Sequence, residues 1–334
     1  MRRNDRPMVS VPARGAMLIC GMLIMGTIAS AQSDMQLLLN EEANQFRFIL
    51  EHETFVFENT GDTHGGPFNL LENAIRLRFP ILMQERHEVV AGADLLWLDL
   101  NTKARLSGVR RPLPEDLYNV GAVVGYRARF RDGWIAGGMA NFGSASDRPF
   151  HSIHEMRLQS TAFLRMPHLE NTAWLFFLHA DTNSPVFPVL PGFGYQFRFG
   201  PQFYGIAGFP ILMLGSRPHE QVRLGLSYLP LNNVNAHLAY SPIARLTLTA
   251  AYDWRSRFFN RAGREDHDDR LEFREMRATL SAAYDVAKWA RLELKGGYAF
   301  ERSFREGQDL KERRRREAEM GDGWFGGLSG QIRF

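Results

Sequence analysis

The last stretch of the chain, Trp324 to Phe334, most restricts what the rest can become. Trp324, Gly326, Leu328, Gly330, Ile332 and Phe334 occupy one set of alternate positions; Phe325, Gly327, Ser329, Gln331 and Arg333 occupy the other. Side chains on a strand point to opposite faces with a period of two, so this stretch has one greasy face and one mostly polar face. It runs out on an aromatic with no tail, and an undocked terminal strand frays. A closed barrel in a bilayer gives it a use: it pairs with the first strand, removes the sheet edge and turns its apolar face to lipid. A soluble sandwich could end the same way, so the remaining strands have to decide between the two.

They repeat the rhythm. Val89, Ala91, Ala93, Leu95 and Trp97 oppose Glu88, Gly92 and Asp94, and Ala122, Val124, Tyr126, Ala128 and Phe130 oppose Gly125, Arg127 and Arg129. Leu246, Leu248, Ala250, Tyr252 and Trp254 oppose Thr247, Thr249, Asp253 and Arg255. Met276 to Tyr284 and Leu292 to Phe300 continue the pattern. Apolar faces that finish on Tyr, Trp or Phe place aromatics at a membrane interface. The polar faces carry arginines, and a lipid-facing Arg near the midplane costs about 2–4 kcal/mol, so these faces are assigned to a lumen. Near the start, Phe46, Phe48 and Leu50 give way to Phe55 and Phe57 on the other parity, which predicts a bulge near His52 to Thr54. With both termini and the short turns at the periplasmic rim, the pattern predicts an all-β, antiparallel transmembrane barrel of about fourteen strands, within a range of 12–16. That number treats Phe193–Phe199 and Phe203–Leu214 as one excursion. Long links, including 101–117 and 143–154, become outer loops.

No run of 18 apolar residues exists, which excludes transmembrane helices from the sequence. The start reads as a secretory leader: Arg2, Arg3, Arg6 and Arg14, then the mostly apolar Ala16 to Ile28, then the small-x-small Ala29-Ser30-Ala31. Cleavage near Ala31 would leave a short segment, 32–44, and a single barrel domain, 45–334. The only cysteine, Cys20, falls within the leader, so the mature chain has neither disulfide nor thiol nucleophile. Residues 1–31 hold four arginines and one aspartate, a net +3 that equals the charge of the whole chain. The mature chain is therefore neutral, and a globally basic nucleic-acid-binding surface is not supported.

The motifs Pro191-Gly192-Phe193-Gly194-Tyr195, Gly208-Phe209-Pro210, Tyr228-Leu229-Pro230 and Asn233-Val234-x-Ala236, with Trp254, resemble an uncharacterised family of bacterial outer-membrane β-barrels. The resemblance covers most of the mature chain. It implies a barrel in the bacterial outer membrane and implies no activity. The terminal strand separately resembles the signal read by the barrel-assembly machinery, with Ile332 and Phe334 carrying it.

Lumen-facing arginines fall toward the periplasmic ends of their strands: Arg78, Arg129, Arg165, Arg223, Arg245, Arg291 and Arg333. A basic ring in a low-dielectric mouth concentrates anions and predicts a mild anion preference. The plainer reading pairs these arginines with Glu88, Asp94, Asp253, Glu275, Asp285 and Glu293 across strands. In the outer loops, Arg313, Arg314, Arg315 and Arg316 could hold lipopolysaccharide phosphates, cross-link to Glu265-Asp266-His267-Asp268-Asp269, or form a solvated tip. His151-Ser152-Ile153-His154 raises a metal pair or a His/Ser hydrolase, yet two histidines lack a third ligand and no carboxylate partner is fixed by spacing. No metal, cofactor or catalytic residue is assigned. The expected role is a passive pore or uptake channel for small solutes. The alternatives are a structural or lipid-binding barrel with an occluded lumen, closed by charged side chains or by Asn183–Gly192, and, third, a membrane-embedded hydrolase.

Overall fold

The computed structural model describes residues 46–61, 66–107, 112–184, 188–200, 202–229, 233–264, 266–308, 312–313 and 316–334. The expected leader, the segment 32–44, Arg314 and Arg315 lie outside these residues. Six strands open the chain: β1 (Ile49–Phe57), β2 (Thr60–Gly61), β3 (Pro67–Met83), β4 (His87–Thr102), β5 (Asp116–Arg129) and β6 (Ile135–Ser146). After one 3-10 turn at Ile153–Glu155 come β7 (Met156–Leu169), β8 (Thr172–Asp181), β9 (Val189–Phe199), β10 (Phe203–Phe209), β11 (Leu212–His219) and β12 (Val222–Leu229). The last are β13 (Asn233–Ile243), β14 (Leu246–Phe259), β15 (Arg270–Ala287), β16 (Ala290–Gly307), β17 (Glu317–Met320) and β18 (Gly323–Arg333).

All belong to one antiparallel sheet, and β1 pairs with both β3 and β18, so the sheet closes on itself. Sixteen strands make the wall; β2 and β17 are short pieces on the margins of β3 and β16. Sixteen is the top of the expected range and two above its central figure. The difference lies in the stretch counted as one excursion: Phe193–Phe199 belongs to a strand of its own, β9, and Phe203–Leu214 folds back at Gly208-Phe209-Pro210 as two more, β10 and β11. Proline has no N–H to give a ladder and is suited to the turn there.

Ile49 stands opposite Arg333, so the first and last wall strands meet at one rim. Every link at that rim is short, such as Glu170-Asn171 and Lys288-Trp289, and the longer links lie at the other rim. Outward side chains such as Val124, Phe142, Leu178, Leu280, Leu294 and Leu328 are apolar and exposed, as a lipid-facing belt requires. Rings cluster at both edges of the belt. Trp97 stacks on Tyr118 and Tyr298 meets Trp324 toward the loop rim; Phe334 packs against Phe48 and Trp289 at the turn rim.

The wall is uneven in height. β10, β11 and β12 have 7, 8 and 8 residues, whereas β3, β15 and β16 have 17, 18 and 18. On β15 the outward residues from Met276 to Val286 are apolar or small, but beyond them come Arg274, Glu272 and Arg270. The tall wall therefore rises past the lipid. Inside that rise sits an apolar core of Phe57, Phe68, Leu98, Leu100, Phe259, Phe273 and Phe304, with Phe273 stacked on Phe304 at 4.5 Å.

This core corrects one expectation. β1 runs in unbroken register with β18 from Ile49 to Phe57, so there is no bulge at His52 to Thr54. The apolar residues change faces instead: Phe55 and Phe57 point inward with Glu51 and Glu53, while Val56 is exposed outside. A real bulge lies in β16, where the register with β15 shifts between Arg274 and Met276 and Glu301 has φ 51°. One extra residue reverses the alternation, so Arg302 and Phe304 face inward although Leu292, Leu294 and Tyr298 face lipid.

Candidate functional site

The inner surface divides into two halves with different chemistry. Beneath the apolar core of the tall wall lies a layer of buried charge. Glu72 on β3 and Glu275 on β15 face Arg255, Arg257, Arg277 and Arg302. Arg257 reaches Glu72 at 2.6 Å, Arg277 reaches Glu275 at 2.6 Å and Arg255 reaches Glu275 at 3.0 Å. Four guanidiniums meet two carboxylates, and aromatic faces take up the balance. Arg277 lies over Phe57 at 4.6 Å and Phe55 at 5.1 Å, and Arg302 lies over Phe57 at 4.7 Å and Phe68 at 4.9 Å. A cation over a desolvated ring gains about 2 kcal/mol, comparable to one charged hydrogen bond.

Further charged layers follow toward the turn rim. Lys295 joins Glu53 and lies 3.6 Å from Glu293. Arg76 reaches Glu51 at 2.9 Å, and Arg78 takes Asp94 with both Nη atoms at 2.9 and 3.0 Å. Arg127 pairs with Glu88 and Arg129 lies 3.2 Å from the same carboxylate. Cross-strand pairing of this kind fixes side chains against the wall.

The shorter wall is built differently. Along the row Arg198, Tyr204, Gly215, Gly225 and His237, residues on β9 to β13 stand opposite one another on the inner face. A methyl placed on Gly215 would lie 2.3 Å from Tyr204 Cζ, and one on Gly225 would lie 2.2 Å from His237 Cε1. Each ring therefore lies flat on the neighbouring strand's glycine instead of reaching inward. Arg217 and Arg223, two residues from these glycines, share the face. They are half-buried and Arg198 is exposed, unlike the enclosed arginines of the tall wall.

The seven arginines singled out by sequence do not form a uniform ring. Arg78, Arg129 and Arg291 have carboxylate partners, the last at 3.5 Å from Asp285. Arg165 is buried and bonds Gln196 at 2.7 Å. Arg245 lies exposed in the turn between β13 and β14, Arg223 opens β12, and Arg333 closes β18. Arg198 and Arg217 share this wall outside the predicted ring; the sequence marks them by the scarcity of carboxylates around them. The inward faces of Phe55, Phe57 and Phe68 were also missed, because aromatic alternation reads the same whether it meets lipid or a core.

In the outer loops, Arg313 is buried, 3.3 Å from Glu272 and over the Phe258 ring at 5.6 Å, and Arg316 reaches Asp269 at 3.1 Å. The two charged loops are thus neighbours. Val189–Gly192 belongs to β9 and Asn183 bonds the Phe258 carbonyl at 2.7 Å; residues 185–187 lie outside the described set. Ser152 caps the 3-10 turn and donates to the Glu155 carboxylate, not to a histidine, while the His154 ring stacks on His267 at 3.8 Å. Among the described residues, no three His, Cys, Asp or Glu side chains are placed to hold a metal.

No protein-family model matches the chain, and no curated protein matches it. Solved structures similar to it include an outer membrane channel from Pseudomonas putida F1, at 10% identity and TM-score 0.38, covering 89% of this chain and 98% of that one. A deletion mutant of TodX, a monoaromatic hydrocarbon channel of P. putida, gives 12% identity and TM-score 0.42, with 92% and 95% covered. OccK7 (OpdD) of Pseudomonas aeruginosa gives 10% identity and TM-score 0.40, with 86% and 98% covered. At such scores the likeness identifies no solute.

Proposed function

We propose that this chain is a passive channel for small solutes in the bacterial outer membrane, with its passage set off-centre along β9 to β13. One observation carries the reading: next to the Phe46 cluster that takes in Ile206 and Met213, Tyr204 and His237 on this wall are recessed into Gly215 and Gly225, while the tall wall is packed with rings and paired charges. A barrel with a lipid-facing belt, a polar inner face and flattened side chains along one wall is suited to diffusion. The leader 1–31 would direct export, and Ile332 and Phe334 would present the terminal strand to the assembly machinery. Arg313 and Arg316, engaged with Glu272 and Asp269, are assigned to holding two loops together rather than to lipopolysaccharide. No enzymatic role is proposed.

A second reading, an occluded barrel, is favoured by Phe46. This residue precedes β1, is 6% exposed, and lies in an apolar cluster with Val90, Ile135, Phe163, Leu175, Ile206 and Met213. The Arg127 guanidinium covers its ring at 4.9 Å. Single-channel recording of the refolded mature chain separates the two. Steady open current supports the channel; no current from the mature chain, together with current from Phe46→Ala, identifies an occluded barrel.

A further inference from the structure

Charge is segregated along the chain. From Thr182 to Tyr252 the sequence holds four arginines, Arg198, Arg217, Arg223 and Arg245, and a single carboxylate, Glu220. On the barrel this stretch is the shorter wall. Glu220 lies in the turn between β11 and β12, where its carbonyl accepts from Arg217 Nη2 at 2.9 Å, so the inward positions of β9 to β12 contribute positive charge alone. The Tyr204 hydroxyl lies within electrostatic range of Arg198, Arg217 and Arg223 together. Farther along the turn rim the charges balance again: Arg291 meets Asp285 and Glu293 more strongly than Arg333 and Arg223. On the tall wall nearly every inward arginine is enclosed and faces Glu or Asp.

We propose that the inner face of β9 to β12 is a binding strip for small organic oxyanions, carboxylates or phosphate esters, held by Arg198, Arg217 and Arg223 with the Tyr204 ring as floor. Guanidinium groups match the two oxygens of a carboxylate or phosphate and stay charged at any physiological pH. The Tyr204 hydroxyl adds a neutral donor among them. Gly215 is what makes the floor, because any larger residue would lift the ring into the path. All three lie within two residues of the turn-rim ends of β9, β11 and β12, so they form one cationic cluster at that mouth. The role of the strip in transport rests on the channel reading; binding itself does not.

The test uses the refolded mature chain, with succinate, glycerol phosphate and inorganic phosphate as probes. Titration calorimetry in detergent micelles measures binding whether or not the lumen conducts. Bilayer recording under a KCl gradient measures selectivity. The expected result is saturable succinate binding that weakens at least about tenfold in R198Q/R217Q/R223Q. Wild type is expected to prefer chloride over potassium, and R217E/R223E to prefer potassium. R76Q/E51Q, which removes one ion pair of the tall wall without changing its net charge, keeps wild-type binding and selectivity. R217K/R223K, which keeps the charge, guards against misfolding by retaining anion preference. Binding without current would sink the channel and leave the strip standing. Current without succinate binding, unchanged in the arginine variants, overturns the strip and leaves the channel. Binding of inorganic phosphate alone would overturn the assignment to organic anions.

Discussion

The Arg302 guanidinium lies 4.7 Å from the centroid of the Phe57 ring, deep in the barrel, on a strand whose lower half shows its even-numbered side chains to lipid. The extra residue at Glu301 makes this possible, and its N–H is held by the Asp322 carboxylate at 3.1 Å. The same layer depends on Glu275, which meets Arg255, Arg257 and Arg277. Removing one partner from a buried ionic cluster leaves the others uncompensated. Glu275→Gln is expected to cost about 3–5 kcal/mol, read as a lower urea midpoint for loss of the folded band on an unheated gel.

The orientation of the wall is tested on β15 alone. Leu280 is 70% exposed on the outside and its neighbour Ser281 is buried on the inside. Leu280→Arg is expected to destabilise the barrel in lipid vesicles by about 2–4 kcal/mol. Ser281→Ala should change stability by far less. Equal effects at the two positions would contradict a lipid-facing belt.

Gly215→Ala should lift Tyr204 off the wall, since the new methyl would occupy space 2.3 Å from Cζ. The ring is the free end of a side chain and can swing away, so folding is expected to survive. Single-channel conductance should fall, and the double variant with Tyr204→Ala should recover it.

The loop before β7 should respond to acid. Burial alone would raise the Glu155 carboxyl, but the hydroxyl and backbone of Ser152, followed by Arg264, outweigh it and hold it below its usual range. A lowered native value means that the ordered loop binds a proton less readily than the unfolded one. Its stabilisation is fully present above the ordinary Glu value of about 4.3 and is lost as pH falls through the lowered native value. Amide exchange across 147–155 should quicken over that acid interval, and Glu155→Gln should exchange quickly even at neutral pH.

Phe334 packs on Phe48 and Trp289 at the seam where the sheet closes. Phe334→Ser is expected to lower stability of the refolded protein by about 1 kcal/mol, yet to reduce the amount assembled in cells severalfold. A purely structural role would move both measurements in proportion.

Much of the wall was legible in the sequence because a two-residue period survives any barrel size. Val89 to Trp97, Leu246 to Trp254 and Trp324 to Phe334 face lipid as their alternation requires. Strand number was harder, since Phe203 to Leu214 alternates through its own turn and only pairing reveals the fold-back. The inner core escaped because Phe55, Phe57 and Phe68 are greasy residues on inward positions, and alternation fixes which residues share a face but not what the face meets. Arg302 escaped for a different reason: a single bulge reverses parity without any change in composition.

The unequal strands also give the barrel a slanted loop-side rim. With eighteen residues in β15 and eight in β12, the loop-side rim is a parapet on one flank and a low sill on the other. A molecule descending from above meets the parapet's packed rings. If the barrel conducts, a molecule skimming along the headgroups would cross the sill first, and its entry would be lateral.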